Sequence, residues 1–410
     1  MKGWDFDVIV VGSRVAGAPT AMLLARSGLR VALVDRARFP SDAVSSHQLQ
    51  VPGAAALARW GLLDRVVQPA PEAAVDEVSL TVSDVTVTGR LPVVDGVGTL
   101  VSPRRIRLDQ LLRDEAVAAG AEVVDRFDVT GVEVHDGRVV GIRGLDARRQ
   151  DRVVTAELVV GADGKRSRVA ECVDAPILRS VPVLGFSTYS YWAGDGEPRA
   201  RLFHLPGRAV AIFPTDEGRR VIFTSAPQAA LPGARSDPAG FVRSTLEAAP
   251  GLAAATRGLE PVGRIRLVPE VPNRVRACQG PGWALVGDSG LCLDPVSAQG
   301  MTNAFLSVEL LARAVTDARR SGRSLDADLA SYQLARDRQL GPVVDLTLEL
   351  TKLAPQPRVA TLLGLIRDDP DAVADLLAVF SGVRPARGFL GPRNLVRMVG
   401  VRGLARLLLS

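Results

Sequence analysis

Hydrophobic positions along the chain follow two rhythms that alternate in blocks. FDVIVVG (6–12) is an unbroken apolar run rich in β-branched residues and ending in glycine, the pattern of a strand buried on both faces. APTAMLLARSG then keeps Ala18, Met22 and Ala25 on one helical stripe and stops at Gly28, which predicts a helix with a glycine end. LRVALVD is a second buried strand closing on Asp35. Strand, glycine loop, helix, strand and terminal acid in about 30 residues make a Rossmann βαβ unit.

From Val75 to Thr99 the rhythm changes to short alternating segments, EVSLTV and VTVTG, which predict antiparallel strands. RIRLDQLLRDEAVAAGAEVV returns to helix and strand, and LVVGADG is another buried strand. Alternation resumes over 176–268, WALVGDSG restores the buried pattern, and MTNAFLSVELLARAVTDARRSG predicts a long helix. The expected fold is α/β. A Rossmann-like nucleotide domain is made of three pieces (1–75, 98–175 and 269–345), a sheet-rich substrate domain is inserted (76–97 and 176–268), and a helical C-terminal region follows (346–410).

Composition narrows the function classes. The chain has 410 residues, 47% of them hydrophobic and 23% charged, as in an ordinary globular protein. No apolar run reaches the roughly 18 residues of a membrane span. The N-terminus enters a strand at once, so no signal peptide is expected and the compartment is read as cytoplasmic. Net charge is +5, but basic and acidic residues interleave with no basic helix or aromatic motif, which argues against nucleic acid. Cys172, Cys278 and Cys292 have no metal-ligand spacing, so no metal site is expected and all three read as buried thiols.

The first loop, GSRVAG (12–17), places Gly12 for the tight turn, with Ala16 and Gly17 where the helix packs on the strand. Arg14 replaces the usual middle glycine. It either turns outward with the backbone unchanged or brings its guanidinium to a phosphate or another edge of the cofactor. Asp35 stands where a ribose diol would be held. Two later stretches, GADGKRSRV (161–169) and LVGDSGLCLDPVSAQGMTNA (285–304), also follow buried strands, and RIRLD (105–109) opens a helix. With these motifs in this order, the chain resembles the FAD-dependent oxidoreductases of the para-hydroxybenzoate hydroxylase and geranylgeranyl reductase superfamily.

That resemblance implies FAD. Gly12, Arg14, Ala16, Gly17, Asp35, Arg36 and Gln48 would serve its nucleotide half. Arg105 would lie near the pyrophosphate or ribityl chain, Gly287 and Asp288 at the ribityl chain, and Asp163 at the motif supporting the FAD site. Pro295, Gly300 and Met301 would bring a helix N-terminus to the flavin pyrimidine edge, where reduction places charge. Taken singly, Asp163 and Asp288 read equally as turn or capping residues.

The superfamily divides by chemistry. Halogenases carry a WxWxIP motif and an essential lysine, whereas the tryptophans here are isolated and no lysine occurs between Lys2 and Lys165. Geranylgeranyl reductases carry Cys-Gly after FPR, where this chain has Ser45 and Ser46. FPSDAVSSHQLQVPG also resembles a group of actinobacterial FAD-dependent oxidoreductases and monooxygenases, many of which act on secondary metabolites. The sequence expectation is therefore an FAD-dependent monooxygenase acting through a flavin C4a-hydroperoxide on a small organic substrate. A double-bond reductase and a non-redox cyclase on the same fold are the alternatives. No nicotinamide domain is visible, so NAD(P)H would visit transiently or a partner flavin reductase would supply electrons.

His47, beside the flavin loop, would position substrate or transfer a proton, or else bond the cofactor or backbone. LGFSTYSYW puts Tyr189 and Tyr191 on one strand face, which together with Phe213 either lines a substrate pocket or packs as ordinary sheet. The basic, apolar C-terminus, GFLGPRNLVRMVGVRGLARLLLS, is read as a helix packed on the body in preference to a membrane-surface helix.

Overall fold

The computed structural model describes residues 5–41, 43, 45, 47–354 and 356–409. In chain order, β1 (Phe6–Val11), α1 (Gly17–Arg26) and β2 (Val31–Asp35) form the opening unit. Next come α2 (Val51–Arg59), β3 (Glu77–Val82), β4 (Val85–Arg90), α3 (Arg105–Ala118), β5 (Glu122–Asp125) and β6 (Asp151–Gly161). The middle of the chain holds β7 (Gly185–Ala193), β8 (Ala200–Leu205), β9 (Arg208–Thr215), β10 (Arg219–Pro227), α4 (Pro238–Leu246) and β11 (Glu260–Val268). β12 (Trp283–Leu285), α5 (Gly300–Ser321), α6 (Leu325–Leu350), α7 (Pro357–Ile366), α8 (Pro370–Phe380) and α9 (Pro392–Leu409) complete it.

The first sheet has a parallel core in the order β12-β6-β1-β2-β5. From β1 the chain goes to β2 on one side and returns through β6 on the other, so a crevice opens at the carboxyl ends of these strands. The strands are apolar because both faces are covered: Val8 to Val11 and Val31 to Val34 all lie in the core. Each motif noted in the sequence is therefore carried to one place. Gly12 follows β1, Asp35 ends β2, Asp163 follows β6, and Gly287 and Asp288 follow β12.

The second sheet, in the order β11-β7-β10-β9-β8-β3-β4, is antiparallel except where β8 pairs with β3. The early strands β3 and β4 thus join a sheet built mostly from residues 185–268. One face is covered by Val242 and Leu246 of α4 and Leu252, which bury Trp192, Phe203 and Ile222. These helical turns interrupt the strand alternation expected over 176–268, because Pro238 sits in the first turn of α4 and the Asp237 carboxylate caps the Gly240 N–H. The other face packs Tyr189, Phe213 and Phe223 against Leu363 and Ile366 of α7 and Leu376 of α8.

The C-terminal helix does pack, through Leu395, Met398, Val399 and Leu407. Gly400 breaks it with φ 68°. Among the described residues, no helix is long and apolar enough to cross a membrane. One expectation fails: Cys278 and Cys292 are buried, but Cys172 is exposed. It ends a five-residue helix that buries only Val169 and Ala170.

Gly12 has φ 97°, and a Cβ there would stand 2.5 Å from the Ala162 carbonyl oxygen, a backbone atom that cannot turn aside. Gly28 has φ 88° but open space around it. Gly12→Ala should therefore lower the melting temperature more than Gly28→Ala, whose cost is the conformational one of about 1–2 kcal/mol. Equal shifts in a thermal melt would show that the Ala162 contact is not the constraint.

Candidate functional site

Two uncapped helix ends face the crevice. No side chain caps α1 at Ala16 or α5 at Gln299, so the positive dipole ends of both helices are open to a ligand, although in α1 the Ala18 N–H already meets the Arg14 carbonyl and Pro19 has no N–H. The glycines of the loop admit that approach. A Cβ on Gly17 would collide with the Gly12 carbonyl, and one on Gly287 would stand 2.9 Å from Ala16 Cβ. The helix start expected near Met301 lies at Gly300, just after the short turn Pro295–Ser297.

Asp35 accepts bonds from the Ser13 N–H (2.7 Å), the Ser13 hydroxyl (3.0 Å) and the Ala37 N–H (2.8 Å). A carboxylate offers about four lone-pair sites, so about one remains for a further donor. Arg113, which sequence reasoning passed over, donates to the Ser13 hydroxyl, pairs with Asp125 at 2.8 Å and lies 3.9 Å over the Phe39 ring. Arg36 is exposed beside this loop.

Arg14 turns to the protein. Its guanidinium reaches Asp109 at 2.9 Å, the Ser41 hydroxyl at 2.7 Å and the Ser41 carbonyl at 3.3 Å. The fully buried Asp109 also takes a two-point contact from Arg105, at 3.0 and 3.1 Å. Asp109 thereby joins the first loop to α3, a role that the RIRLD motif alone does not display.

Asp163 behaves as a cap. Its carboxylate accepts bonds from the Ser167 hydroxyl at 2.5 Å, the Arg168 N–H at 2.6 Å and the Val169 N–H at 3.2 Å, while burial pushes its pKa up. Asp288 differs. It opens onto space within the crevice, yet enough protein surrounds it that desolvation raises its pKa to about 6, against the pull of Arg105 and then Lys165. Asp294 is also raised to about 6 by burial, with a bond from the Val296 N–H opposing.

His47 and Tyr191 meet across this region. The His47 Nε2 hydrogen-bonds the Tyr191 hydroxyl, and the two rings stack with centroids 5.5 Å apart. His47 holds a left-handed φ of 61°, with its N–H bonded to the Ser45 hydroxyl at 3.0 Å. Ser46, the other residue at the Cys-Gly offset, lies outside the described residues. Burial first, then Arg105 and Arg104, lower the His47 pKa to about 3. The Arg104 guanidinium stands 5.3 Å from the Tyr191 ring centre, an approach hidden in the sequence because it spans 87 positions. His47 Nδ1 and the neighbouring Gln48 Oε1 are buried without partners.

Tyr191, Val221 and Phe213 form one cross-strand row of the second sheet, and Tyr189, Phe223 and Ala211 the next. Burial, then Asp294 and Asp288, push the Tyr189 phenol far above its usual range, which places that row beside the crevice. The two tyrosines thus share a face that adjoins the carboxyl ends of β1, β6 and β12.

FAD suits these features. A pyrophosphate matches the uncapped helix end and glycine turn, a diol matches the open site on Asp35, and polar edges match the orphaned Gln48 and His47 atoms. The comparisons agree. The model of the FAD binding domain family matches residues 5–347. Digeranylgeranylglycerophospholipid reductase 2 of Methanopyrus kandleri is 26% identical over 367 residues, covering 85% of this chain and 86% of that protein. Menaquinone reductase of Mycolicibacterium smegmatis is 27% identical over 331 residues, covering 76% of each chain. The structure of the myxobacterial chondrochloren halogenase CndH, an FAD-dependent halogenase, superposes with a TM-score of 0.77 at 20% identity, over 98% of this chain and 95% of that one. At that identity the likeness is one of fold.

Asp109→Ala should destabilise by about 3–5 kcal/mol, since it leaves the buried Arg105 without its counter-charge. Arg14→Ala, which removes a partly exposed partner, should cost about 1 kcal/mol or less. Urea unfolding of both variants measures the difference, and comparable costs would deny Asp109 the central place.

Proposed function

Because the chain belongs to the FAD binding domain family, we propose that it is an FAD-dependent reductase that adds two hydrogens across a double bond of a small, largely apolar organic substrate. The observation that carries this reading is the His47–Tyr191 pair, a buried proton source beside the crevice. Bound FAD, once reduced, supplies the hydride, with NAD(P)H as a transient donor or a partner flavin reductase reducing it. The sequence relatives support reduction over the expected oxygen insertion: both proteins cited above are named reductases.

Gly12, Ala16 and Gly17 admit the pyrophosphate to the end of α1, and Asp35 takes the ribose. Arg36, exposed beside the loop, and the orphaned Gln48 amide take polar edges of the nucleotide half. Asp288 accepts from a ribityl hydroxyl, with Arg105 beside it. Pro295, Gly300 and Met301 set the end of α5 against the flavin pyrimidine edge. Arg14 and Asp163 act through the scaffold, as the ion pair to Asp109 and as the cap of the following helix.

The substrate's reacting end meets the second sheet at Tyr191, which Tyr189, Phe213 and Phe223, buried against α7 and α8 on the same face, hold in place. Tyr191 gives a proton to the substrate carbon, His47 Nε2–H donates a hydrogen bond to the phenolate that results, and the phenolate recovers its proton from solvent after the product leaves. The imidazole stays neutral, as its lowered pKa demands, and Arg104 steadies negative charge on the phenol oxygen. Ser45, standing where the reductases carry cysteine, favours oxygen insertion as the second reading.

Reduced holoenzyme mixed with a prenylated quinone in deuterated water under argon should give product carrying up to two solvent deuteriums, one through the exchangeable hydrogen that the reduced flavin donates and one through Tyr191, and no added oxygen. In parallel reactions, label in the product formed by reduced holoenzyme under heavy oxygen would establish oxygen insertion, and turnover by oxidised holoenzyme with no donor added would establish the non-redox alternative. Tyr191→Phe should lower kcat about 100-fold or more while retaining FAD. A change confined to KM would assign Tyr191 to binding alone.

Ionised Asp288 is the better acceptor for a ribityl hydroxyl, so FAD affinity should rise as pH rises through about 6 and fall below it. Asp288→Asn should flatten that dependence in a titration followed by flavin fluorescence. An unchanged pH profile would remove Asp288 from the cofactor contacts.

A further inference from the structure

α9 is apolar on two faces, and the body of the protein covers only one. Leu395, Met398, Val399 and Leu407 pack inward. Beyond the break at Gly400, Gly403 and Leu407, four positions apart, form the buried side. Val401 and Leu408, seven apart, share a stripe turned away from the body, at 74% and 67% exposure. Arg402, Arg406 and Leu409 lie beside it on the same exposed side. Of the fourteen large apolar side chains left exposed among the described residues, six fall within 383–409, so the exposure belongs to this segment and is not scattered over the surface.

The positive charge of the chain is concentrated in the same place. Residues 383–410 hold six arginines and no aspartate or glutamate; the whole chain is +5, so everything before this segment is net −1. Arg384 and Arg397 share Asp375, and Arg387 stands 3.8 Å from Asp345. Arg393, Arg402 and Arg406 have no carboxylate partner among the described residues. In the turn before α8, Asp369 is committed to capping that helix and Asp368 stands beside Arg367.

Aliphatic side chains and unpaired arginines on one surface narrow what covers it. A nucleic acid would neutralise the arginines but leave Val401, Leu408 and Leu409 in water. A two-fold contact with a second copy would set arginine against arginine with no acid to receive either. An anionic bilayer satisfies both kinds of group, since its acyl boundary takes the aliphatic side chains and its phosphates take the guanidinium groups.

We propose that α9 lies on the surface of an anionic lipid bilayer, with Val401, Leu408 and Leu409 in the acyl boundary and Arg402 and Arg406 at the headgroup phosphates. The contact is peripheral, because no described helix is long and apolar enough to cross. α9 rests on α7, and α7 and α8 rest on the second sheet, so this surface is separate from the crevice and does not depend on which reaction is run there.

The test sediments the FAD-loaded full chain with vesicles of phosphatidylcholine alone or mixed equally with phosphatidylglycerol. Binding should favour the anionic vesicles about tenfold or more and weaken as salt is raised, because headgroup attraction is screened. Arg402→Glu combined with Arg406→Glu should weaken binding to the anionic vesicles about 30-fold or more, as loss of two surface cations does. Val401→Ser combined with Leu408→Ser should weaken it about tenfold or more while leaving the salt dependence in place. All four positions are exposed, and FAD content and melting temperature verify that each variant is folded. No binding of the wild type to anionic vesicles, or unchanged binding of either folded double variant, would overturn the proposal. Capture by polyglutamate beads without vesicle binding would overturn it in favour of an acidic protein partner, and a dimer lost in the variants without vesicle binding would do so in favour of a second copy.

Discussion

The carboxylate of Asp109 is the constraint on which the candidate site depends. It is fully buried, and a buried charge must be paired and hydrogen-bonded or it costs several kcal/mol. Its partners come from two elements: Arg105, one turn earlier on α3, and Arg14, in the loop between β1 and α1. That triad ties the nucleotide loop to the helix delivering Arg104 and Arg105 to the crevice. The arginine where a glycine is usual is thus a structural strut. Its backbone keeps the loop turn, and its side chain takes the second side of a charge that Arg105 alone would leave half-satisfied.

From this strut the electrostatics of the crevice follow. Arg105 lies close enough to hold Asp288 down and to drive His47 toward neutrality, while burial moves both groups toward their uncharged forms. The crevice therefore has positive potential but few committed charges of its own. Uncapped helix ends add to it. Such a surface favours a polyanion that brings its own charge, and it holds the imidazole neutral.

The parallel sheet and its motifs were readable from sequence because each signal is local. A buried strand, a glycine at positive φ and an acid at a strand end fall within a few residues, and the topology carries them to one edge. Asp35 ends β2, and Gly287 and Asp288 follow β12, at the strand ends that the hydrophobic pattern implied. Asp163 shows the limit of the method, since a strand-end acid serves a helix cap as readily as a ligand, and only its bonds to Ser167 and Val169 distinguish the two. The contacts that were invisible, Arg104 over Tyr191 and Arg113 against Ser13 and Phe39, join residues 74 to 100 positions apart or carry a cation whose sequence neighbours are ordinary helix. Alternation placed Tyr189 and Tyr191 on one face. It could not place that face against α7 and α8 or bring His47 to it.

The two sheets divide the work according to what each can satisfy. Parallel strands end in loops whose N–H groups point outward, which suits phosphate and hydroxyl groups. The antiparallel sheet satisfies its own backbone across its width and so presents only side chains, which suits an apolar substrate. His47 lies between the two. Its left-handed backbone, braced by Ser45, sends the imidazole from the loop after β2 to the Tyr191 hydroxyl on the second sheet. A residue held in an uncommon conformation, with one ring nitrogen bonded across the gap and the other unpartnered, is where strain and function most often coincide.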